Sequence, residues 1–380
     1  MSKTSYVPSP AKIKVIGLGG AGCNAVTHMV REQIKGIEFI AMNTDTQHLE
    51  ITEAASRIQL GERTSRGLGV GGDHLLGQQA AEESRHEIVQ AVAGADMVFI
   101  TAGMGGGTGT GSAAIVAEIT KQSGALTIGV VTRPFSFEGV HRNKVANEGI
   151  MNLMNKVDTL IIIPNDRLLK LCDKKTSIDY AFKLADEVLF QGVQAIAEVI
   201  TVPGLINLDF ADVRAIMKDA GPAWMSIGHG SGQHRAIDAA RQALASPLLD
   251  VSVEGAKGVL FNIAGSDLTL FEVNNAAEVI REIVHPQANV IFGVVLDSNM
   301  GDEVRLTLIA TGFTSVEAMT GSDHAKELEQ FLKSSQTDDE LDVPSFLRHE
   351  ALSRQKPNTS RSDIRQDELK FTQKQKNDHE

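Results

Sequence analysis

The sequence has only two cysteines, Cys23 and Cys172, in its 380 residues. Two thiols are too few for a disulfide framework and are typical of a reducing compartment. The chain also lacks a run of eighteen or more apolar residues, and residues 1–12 lack the apolar core of a signal peptide. We therefore expect a cytoplasmic protein that does not insert directly into a membrane.

Basic residues are scarce relative to acidic ones. The chain has 36 Lys and Arg against 48 Asp and Glu, which gives a formal net charge of -12. This balance disfavours nonspecific binding to nucleic acid, and we expect no nucleic-acid partner. A small anionic ligand must then be bound by local groups rather than by a general basic field.

The Gly-Lys pair of the GxxxxGK[ST] phosphate loop occurs nowhere in the chain, which excludes a P-loop NTPase by its motif. A different glycine-rich stretch, TAGMGGGTGTGS, fills residues 101–112 between an apolar run and a helical pattern. Its backbone N–H groups and the following helix N-terminus favour a phosphate chain as the ligand. A flexible linker is the alternative, disfavoured because the loop lies directly between a strand and a helix.

A second glycine motif, GLGGAG at 17–22, lies between a predicted strand at 13–16 and a predicted helix at 23–30. GxGxxG in that context is the dinucleotide-binding fingerprint, and Asp45 follows the next predicted strand, where such folds place a ribose-binding acid. A nicotinamide-dependent dehydrogenase is therefore the serious alternative. The glycine loop at 101–112 argues against it, because a single fingerprint does not need a second loop.

Strands and helices alternate along the first half of the chain, which predicts a doubly wound α/β fold with a mostly parallel sheet. Ligands of such sheets bind at the carboxyl ends of the strands, where both glycine loops fall. A long helix at 178–200 then leads to a second, smaller α/β region, whose helix at 233–245 carries Arg235 and Arg241 on an expected solvated face. The further predicted elements are strands at 38–43, 97–102, 126–132, 159–164, 224–228, 256–263, 289–296 and 303–311, helices at 77–92, 112–122, 140–156, 210–218 and 274–284, and a mobile glycine-rich loop at 57–72.

Seven segments resemble the FtsZ family of the tubulin superfamily in order and spacing, over residues 12–313. They are IKVIGLGGAGCNAV, FIAMNTD, ADMVFITAGMGGGTGTG, VVTRPFSFEG, IIPNDRLL, AFKLADEVL and ITVPGLINLDFADVR. The resemblance implies a GTPase that binds GTP or GDP with Mg²⁺ held through the phosphates, and that polymerises head to tail into the bacterial cell-division (Z) ring at mid-cell. A tubulin-like scaffold that binds nucleotide without efficient turnover is a further alternative, and acids at 209 and 212 argue against it.

The resemblance also implies a division of the chain. Residues 13–177 are expected to form the GTP-binding domain, 178–200 a central connecting helix, and 201–316 a C-terminal α/β domain that carries the catalytic loop. Residues 1–12 are expected to be a flexible arm and 317–380 a disordered linker and tail. Within that tail, residues 342–348 (DVPSFLR) resemble the family peptide that binds the division proteins FtsA and ZipA; its contact residues would be Pro344, Phe346, Leu347 and Arg348.

The resemblance further implies the nucleotide contacts. Ala21 and Cys23 stand where many family members have glycine; both are small, so we expect the phosphate cradle to survive and Cys23 to make it sensitive to oxidation. The implied nucleotide-binding residues are Gly20, Ala21, Gly22, Cys23, Asn24, Met104, Gly105, Gly106, Gly107, Thr108, Gly109, Thr132, Glu138, Arg142, Asn165, Phe182 and Asp186.

Two pairs among them have simpler explanations. Glu138 and Arg142 are four residues apart, and a surface ion pair worth about 0.3–0.5 kcal/mol would account for them; the resemblance instead implies contacts to ribose and phosphate. Phe182 and Asp186 share one helix face. A carboxylate accepts hydrogen bonds from guanine N1–H and its 2-amino group but finds no donor at adenine N1, so Asp186 would select GTP. A solvated helix edge is the alternative.

The last implied group is catalytic. Asp209 and Asp212 have the spacing of a helix start, and capping alone would explain them. By resemblance, Asn207, Asp209 and Asp212 enter the nucleotide site of the next subunit, where the two acids polarise the attacking water. Hydrolysis would then depend on assembly.

Overall fold

The computed structural model describes residues 11–34, 36–172, 176–201, 209–246, 248 and 253–313. Asn207 and the peptide 342–348 lie outside the described residues. The strands are Ile13–Leu18 (β1), Ile37–Asn43 (β2), Ser56–Gln59 (β3), Met97–Gly103 (β4), Leu126–Arg133 (β5), Thr159–Pro164 (β6), Gly221–Ser231 (β7), Gly258–Gly265 (β8), Asn289–Leu296 (β9) and Glu303–Thr311 (β10).

Helices connect most of these strands. The α-helices are Gly19–Arg31 (α1), Thr46–Ile51 (α2), Glu62–Ser65 (α3), His74–Glu83 (α4), Arg85–Val92 (α5), Thr108–Gln122 (α6), Val140–Met154 (α7), Asn165–Leu168 (α8), Ile178–Thr201 (α9), Phe210–Met217 (α10), Arg235–Leu244 (α11) and Leu270–Ile283 (α12). Short 3-10 turns lie at Ser136–Glu138, Leu169–Leu171, Val253–Gly255 and Ser298–Met300.

The strands form one ten-stranded sheet in the order β3-β2-β1-β4-β5-β6-β7-β10-β8-β9. The first six strands pair in parallel with their neighbours. Their apolar runs are buried on both faces, as a parallel sheet covered by helices requires; β4, for example, is buried from Met97 to Ala102. The predicted α/β fold with a large, mostly parallel sheet is confirmed.

The second part of the sheet continues from the first. β7 pairs in parallel with β6 and antiparallel with β10, which in turn pairs antiparallel with β8. β9 then pairs in parallel with β8. The division into two domains at the central helix stays a prediction, because the sheet itself runs on from one part to the other.

Apolar side chains lie in three clusters. The first lies on the sheet face covered by α1, α9 and α10, and the second lies on the face covered by α4 to α7. The third fills the space between β7 to β10 and the helices α11 and α12. The helix α9 has eleven buried residues along its length, and those that belong to a cluster belong to the first one.

Three sequence predictions need correction. The helix predicted at 77–92 is two helices, because Ser84 leaves the helical conformation and its hydroxyl accepts a hydrogen bond from the backbone N–H of Gly61 at 2.9 Å. The loop predicted at 57–72 contains the end of β3 and all of α3. The first helix begins at Gly19 rather than at Cys23, because Gly19 adopts a φ of 66° that turns the chain directly from β1 into α1.

Arg235 is also not on a solvated face. Its side chain is 7% exposed and pairs with Asp267 and Glu272 at 2.7 Å and with Asp302 at 3.2 Å. These acids come from the segments after β8 and before β10, so the sequence of α11 alone gives no sign of the pairing. Among the described helices, none has the length and apolar content needed to cross a membrane.

Candidate functional site

A cavity of about 460 Å³ opens at the carboxyl ends of the parallel strands. Thirteen of the residues implied by the resemblance line it together. They are Gly20, Ala21, Met104, Gly106, Gly107, Thr108, Gly109, Thr132, Glu138, Arg142, Asn165, Phe182 and Asp186. The loops after β1, β4, β5 and β6 thus meet at one edge of the sheet, together with the first turns of α9.

The two glycine loops lie against each other at the floor of this cavity. A Cβ built on Gly19 would lie 2.8 Å from the backbone nitrogen of Gly109. Gly105 has a φ of 97°, and a Cβ there would lie 2.7 Å from the carbonyl oxygen of Arg142. A side chain at Gly19 would therefore push the two loops apart, and one at Gly105 would clash with the backbone of α7, which explains why the sequence has glycine at both positions.

Two other glycines face open space. Gly20 and Gly106 line the cavity, and a Cβ on either would meet no protein atom within 4 Å. Gly20 lies in the first turn of α1, and Thr108 begins α6, so two helix N-termini open onto the same cavity. Backbone N–H groups without side chains in the way, at the positive ends of two helices, form an environment suited to phosphate oxygens.

Four implied residues do not line the cavity: Gly22, Cys23, Asn24 and Gly105. A Cβ on Gly22 would lie 2.5 Å from the carbonyl oxygen of Thr101, so this glycine allows α1 to pack closely on β4. Asn24 is exposed on α1.

Cys23 is fully buried in the core beneath α1, and its thiol lies 3.9 Å from the carbonyl oxygens of Gly17 and Met42. Burial raises the pKa of the Cys23 thiol to about 12. A buried thiol that stays protonated reacts slowly with oxidants, so the structure argues against the expected oxidation sensitivity at this position.

Phe182 and Asp186 line the far end of the cavity from one face of α9. The Phe182 ring is 41% exposed, as a ring that stacks on a ligand requires. Burial raises the pKa of the Asp186 carboxyl to about 7, and the nearby His28 opposes part of that rise. A carboxylate held with little water is well suited to accept hydrogen bonds from N–H groups of a base.

Glu138 and Arg142 form the surface ion pair that was the simpler interpretation, and both also line the cavity. The other carboxylate oxygen of Glu138 accepts from the backbone N–H of Phe135 at 2.9 Å. The side chain of Glu138 is therefore held in place, whereas that of Arg142 is 53% exposed. The arrangement leaves Arg142 able to turn toward an anionic group.

Asn165 provides an independent sign of a ligand. Its side chain is 5% exposed and lines the cavity, yet its Oδ1 is buried without a hydrogen-bond partner among the described residues. Buried polar atoms without partners are rare, because each costs about 1–3 kcal/mol. A donor on a bound molecule would satisfy this oxygen.

Sequence reasoning missed the wall of the cavity that residues 43–48 and 68–71 form. Thr44 is buried, and its hydroxyl lies 2.6 Å from that of Thr108 in the glycine loop. Asp45, which the dehydrogenase alternative treated as a ribose ligand, caps α2 by accepting from the backbone N–H of Gln47 at 3.0 Å. The remaining lining residues that were not implied are Leu18, Gly19, Asn43, His48, Leu68, Gly69, Val70, Gly71, Gly103, Pro134 and Ala185. The glycine-rich pattern of 66–72 was the available signal.

Asp209 and Asp212 lie elsewhere. Asp209 caps α10, accepting from the backbone N–H of Ala211 at 3.4 Å, and Asp212 is in the first turn. This confirms the predicted cap. The end of α10 packs at the amino end of β6, where the Thr159 hydroxyl donates to the carbonyl oxygen of Met217. Phe182 lines the cavity near the start of α9, and about 28 Å of helix separates it from Thr201. The end of α10 thus lies at the opposite edge of the sheet from the cavity, and neither acid lines the cavity.

The side chains that line the cavity indicate how a metal ion would be held there. Within the described residues, no three His, Cys, Asp or Glu side chains converge as a metal cluster. Mg²⁺ commonly binds through substrate phosphates and water with one or two protein oxygens, so this lining is compatible with a metal that arrives with the nucleotide. Thr44 and Thr108 line the cavity at the glycine loop and have hydroxyl oxygens 2.6 Å apart, which are of the type that such a metal accepts.

Comparison with known proteins gives concordant matches. Residues 12–173 match the Tubulin/FtsZ family, GTPase domain, and residues 221–314 match the FtsZ family, C-terminal domain. The empty FtsZ dimer from M. jannaschii is similar at 46% sequence identity with a TM-score of 0.78, over 80% of this chain and 89% of that chain. Two more distant structures from Haloferax volcanii share the fold. The GTPγS-bound protofilament of CetZ2 has a TM-score of 0.72 at 20% identity, over 87% and 99% of the two chains. The GDP-bound monomer of CetZ1 has a TM-score of 0.72 at 23% identity, over 86% and 99%.

Proposed function

The chain belongs to the FtsZ family of tubulin-like GTPases, and on that premise we propose that it polymerises head to tail into filaments that form the bacterial cell-division ring. Membership of the family gives binding of GTP or GDP and GTPase activity in general, in place of dehydrogenase chemistry. The proposal adds the place of hydrolysis, which is the contact between subunits. The cavity of one subunit holds GTP, and acids of the next complete the site.

The separation of Asp209 and Asp212 from the cavity is the observation that carries this proposal. Neither acid lines the cavity, and the helix that they begin, α10, ends at the amino edge of the sheet, whereas the cavity is at the carboxyl edge. We infer that these acids do not reach the nucleotide of their own subunit. In a head-to-tail contact, the amino edge of one subunit meets the carboxyl edge of the next, so the acids of one molecule reach the nucleotide of its neighbour.

The chemistry needs little beyond positioning. Water attacks the γ-phosphate in line, through a loose transition state, so the protein acts mainly by orientation and charge stabilisation. We assign Asp209 and Asp212 to polarise and orient the water, with Asn207 in the same junction. Mg²⁺, when bound, would neutralise charge on the phosphate oxygens. Thr44 and Thr108 are the protein oxygens we expect nearest to it.

The thirteen lining residues named above are proposed as the nucleotide contacts. The two glycine loops hold the phosphates, Glu138 and Arg142 the ribose and phosphates, and Phe182, Asn165 and Asp186 the base. The unpartnered oxygen of Asn165 and the desolvated carboxyl of Asp186 favour a base that presents N–H donors, which guanine does. Gly22, Cys23 and Asn24 are proposed to act through their backbone or through the position of α1.

The rim of the cavity favours a protein partner. Leu68, Phe137 and Val140 are 83%, 59% and 87% exposed, and each lines the cavity or lies within two residues of a lining residue. Large apolar side chains grouped on a surface are typical of an interface. A second copy of this chain is the partner we propose, because it would also supply the acids that the cavity lacks.

Three further proposals rest on the family alone. They are the domain boundaries 13–177, 178–200 and 201–316, the binding of FtsA and ZipA through 342–348, and recruitment to mid-cell. A tail peptide with Pro344, Phe346 and Leu347 in a polar background is typical of a segment that folds into a partner's groove.

Phosphate release from GTP, measured across protein concentrations with sedimentation in parallel, tests the shared site. We expect the specific rate to be near zero in dilute protein and to rise sharply at the concentration where polymer first sediments. A full specific rate from demonstrably monomeric protein would refute it.

The variant Asp212→Asn extends that test. It should bind GDP as wild type does, because the altered side chain does not line its own cavity. Its rate of phosphate release should fall at least about 100-fold, because the carboxylate that orients the water in the neighbouring subunit is lost. Asp238→Asn is the matched control, since Asp238 is also an exposed acid in the first turn of a helix, α11. Equal loss of GDP binding in Asp212→Asn would contradict the assignment.

A further inference from the structure

The Phe182 ring lies in the cavity wall, but its orientation depends on residues behind it. The ring is 41% exposed and sits in the second turn of α9. A ring that stacks on a base must hold one plane, since stacking weakens when the two planes tilt. A neighbouring side chain must therefore fix that plane.

The ring of Phe135 contacts the ring of Phe182. The Phe135 ring is fully buried, and its centroid lies 5.5 Å from that of Phe182 with an interplanar angle of 87°. Phe135 also stacks on Phe137 at 4.9 Å and 13°. Phe135 does not line the cavity. Its edge-to-face contact therefore acts on the ligand only through Phe182.

The backbone around Phe135 is clasped to the next loop of the sheet. Asp166 accepts two hydrogen bonds from Ser136, one from the backbone N–H at 2.8 Å and one from the hydroxyl. Asp166 follows β6, and Ser136 follows β5, the neighbouring parallel strand. The carboxylate thus joins two loops that each carry a residue of the cavity wall, Glu138 and Asn165.

The same turn is closed by Glu138, which accepts from the backbone N–H of Phe135 at 2.9 Å. Two carboxylates therefore hold the backbone of this short turn. Neither Asp166 nor Phe135 lines the cavity, yet both are joined to residues that do.

We propose that Phe135, held in a turn that Asp166 clasps, is a positioning residue that sets the plane of Phe182 for stacking on the nucleotide base. The inference rests on the proposed role of the cavity as the nucleotide site. It assigns part of the affinity for the base to two residues that do not contact the nucleotide.

The test is the equilibrium dissociation constant for GDP, measured by calorimetry on dilute protein. Phe135→Leu should raise it about 3- to 10-fold, because an edge-to-face aromatic contact and part of one base-stacking contact are lost. Asp166→Ala should raise it in the same direction. Ser136→Ala should have a smaller effect, since it removes one of the two hydrogen bonds.

A double mutant separates positioning from a general structural role. In the background of Phe182→Ala, the further change Phe135→Leu should leave the dissociation constant unchanged within about twofold, because the ring through which Phe135 acts is gone. A role in stability alone would lower affinity equally in both backgrounds. Phe261→Leu is the matched control: Phe261 is also fully buried and stacked on a second ring, Phe292, at 5.4 Å and 13°, but lies in β8.

Each outcome decides a different point. If wild-type protein does not bind GDP, the proposed function of the cavity fails. If wild type binds GDP and both Phe135→Leu and Asp166→Ala bind it equally well, only the positioning inference is overturned. If Phe135→Leu does not fold, the pair Asp166→Ala and Ser136→Ala decides, since neither of these two residues is buried.

Discussion

Replacement of Gly20 by alanine is the sharpest test of the phosphate cradle. Gly20 is the second residue of α1 and lines the cavity, and a methyl group placed on its Cα would have no protein atom within 4 Å. Its φ is not in the left-handed region. Alanine therefore fits the folded chain without strain, and because glycine is the more flexible residue in the unfolded chain, the free energy of unfolding should stay the same or rise by about 0.4–1 kcal/mol.

The affinity for nucleotide, by contrast, should fall. The new methyl would stand where the backbone N–H groups of the first turn of α1 approach the phosphates. Loss of one hydrogen bond to a charged group costs about 1.5–3 kcal/mol, which corresponds to about 10- to 150-fold weaker binding of GDP and GTP. A variant that is as stable as wild type and yet binds nucleotide poorly would locate the phosphates at this turn.

Calorimetric titration with GDP and thermal unfolding without nucleotide give the two readouts. Gly72→Ala is the control, because Gly72 also has open space around a Cβ and an ordinary φ but does not line the cavity. Gly105→Ala provides the contrast, since its φ of 97° and the carbonyl oxygen at 2.7 Å predict a loss of stability as well as of binding. If Gly20→Ala binds GDP as tightly as Gly72→Ala does, the phosphates do not lie on this turn and the reasoning is refuted.

The remaining predictions concern charge and burial. GDP affinity should rise between about pH 6 and 8 in wild type and not in Asp186→Asn, because burial raises the pKa of Asp186 to about 7 and only the ionised carboxylate accepts both guanine N–H groups. The same raised pKa stabilises the fold below about pH 4, and this contribution to the free energy of unfolding is lost as the pH rises through 7. The free energy of unfolding should therefore depend less on pH in Asp186→Asn than in wild type. An unchanged slope would contradict this. Arg235→Ala should lower the free energy of unfolding by about 1–3 kcal/mol, because three carboxylates lose their partner. Arg241→Ala, at an exposed position on the same helix, should change the free energy of unfolding little. Similar melting temperatures of the two variants would show that the ion pairs add nothing to stability. With a thiol reagent, native protein should react at half-buried Cys172 and leave Cys23 unmodified until it unfolds, and rapid modification of both thiols would disprove the burial of Cys23.

The parts of the site that sequence reasoning found share one property: their chemistry is local. The glycine loops stand directly between a strand and a helix, so their role follows from the order of residues along the chain. Phe182 and Asp186 are four residues apart, and helical periodicity alone places them on one face. Asp209 is followed by a helical pattern, which made its capping role visible.

The parts that sequence reasoning missed depend on contacts between distant segments. Thr44 and Thr108 are 64 residues apart in the sequence, yet their hydroxyls are in contact. They meet because Thr44 follows β2 and Thr108 follows β4, and these two parallel strands flank β1 in the sheet. Arg235 is buried by acids that lie 32 to 67 residues further on. Cys23 was expected to belong to the phosphate cradle because it directly follows the glycine motif, whereas the helix begins four residues earlier and buries the thiol in the core.

Residue types at short spacing were enough to establish the alternation of strands and helices and the resemblance to a family, and to predict the two glycine loops as phosphate-binding loops. The packing of the folded chain was needed to show which loops share one cavity, which titratable groups lose their water, and that neither of the two acids after the central helix lines that cavity. Those features depend on the strand order and on the direction of α9. A pattern of neighbouring residues predicts the length of that helix but encodes neither of these.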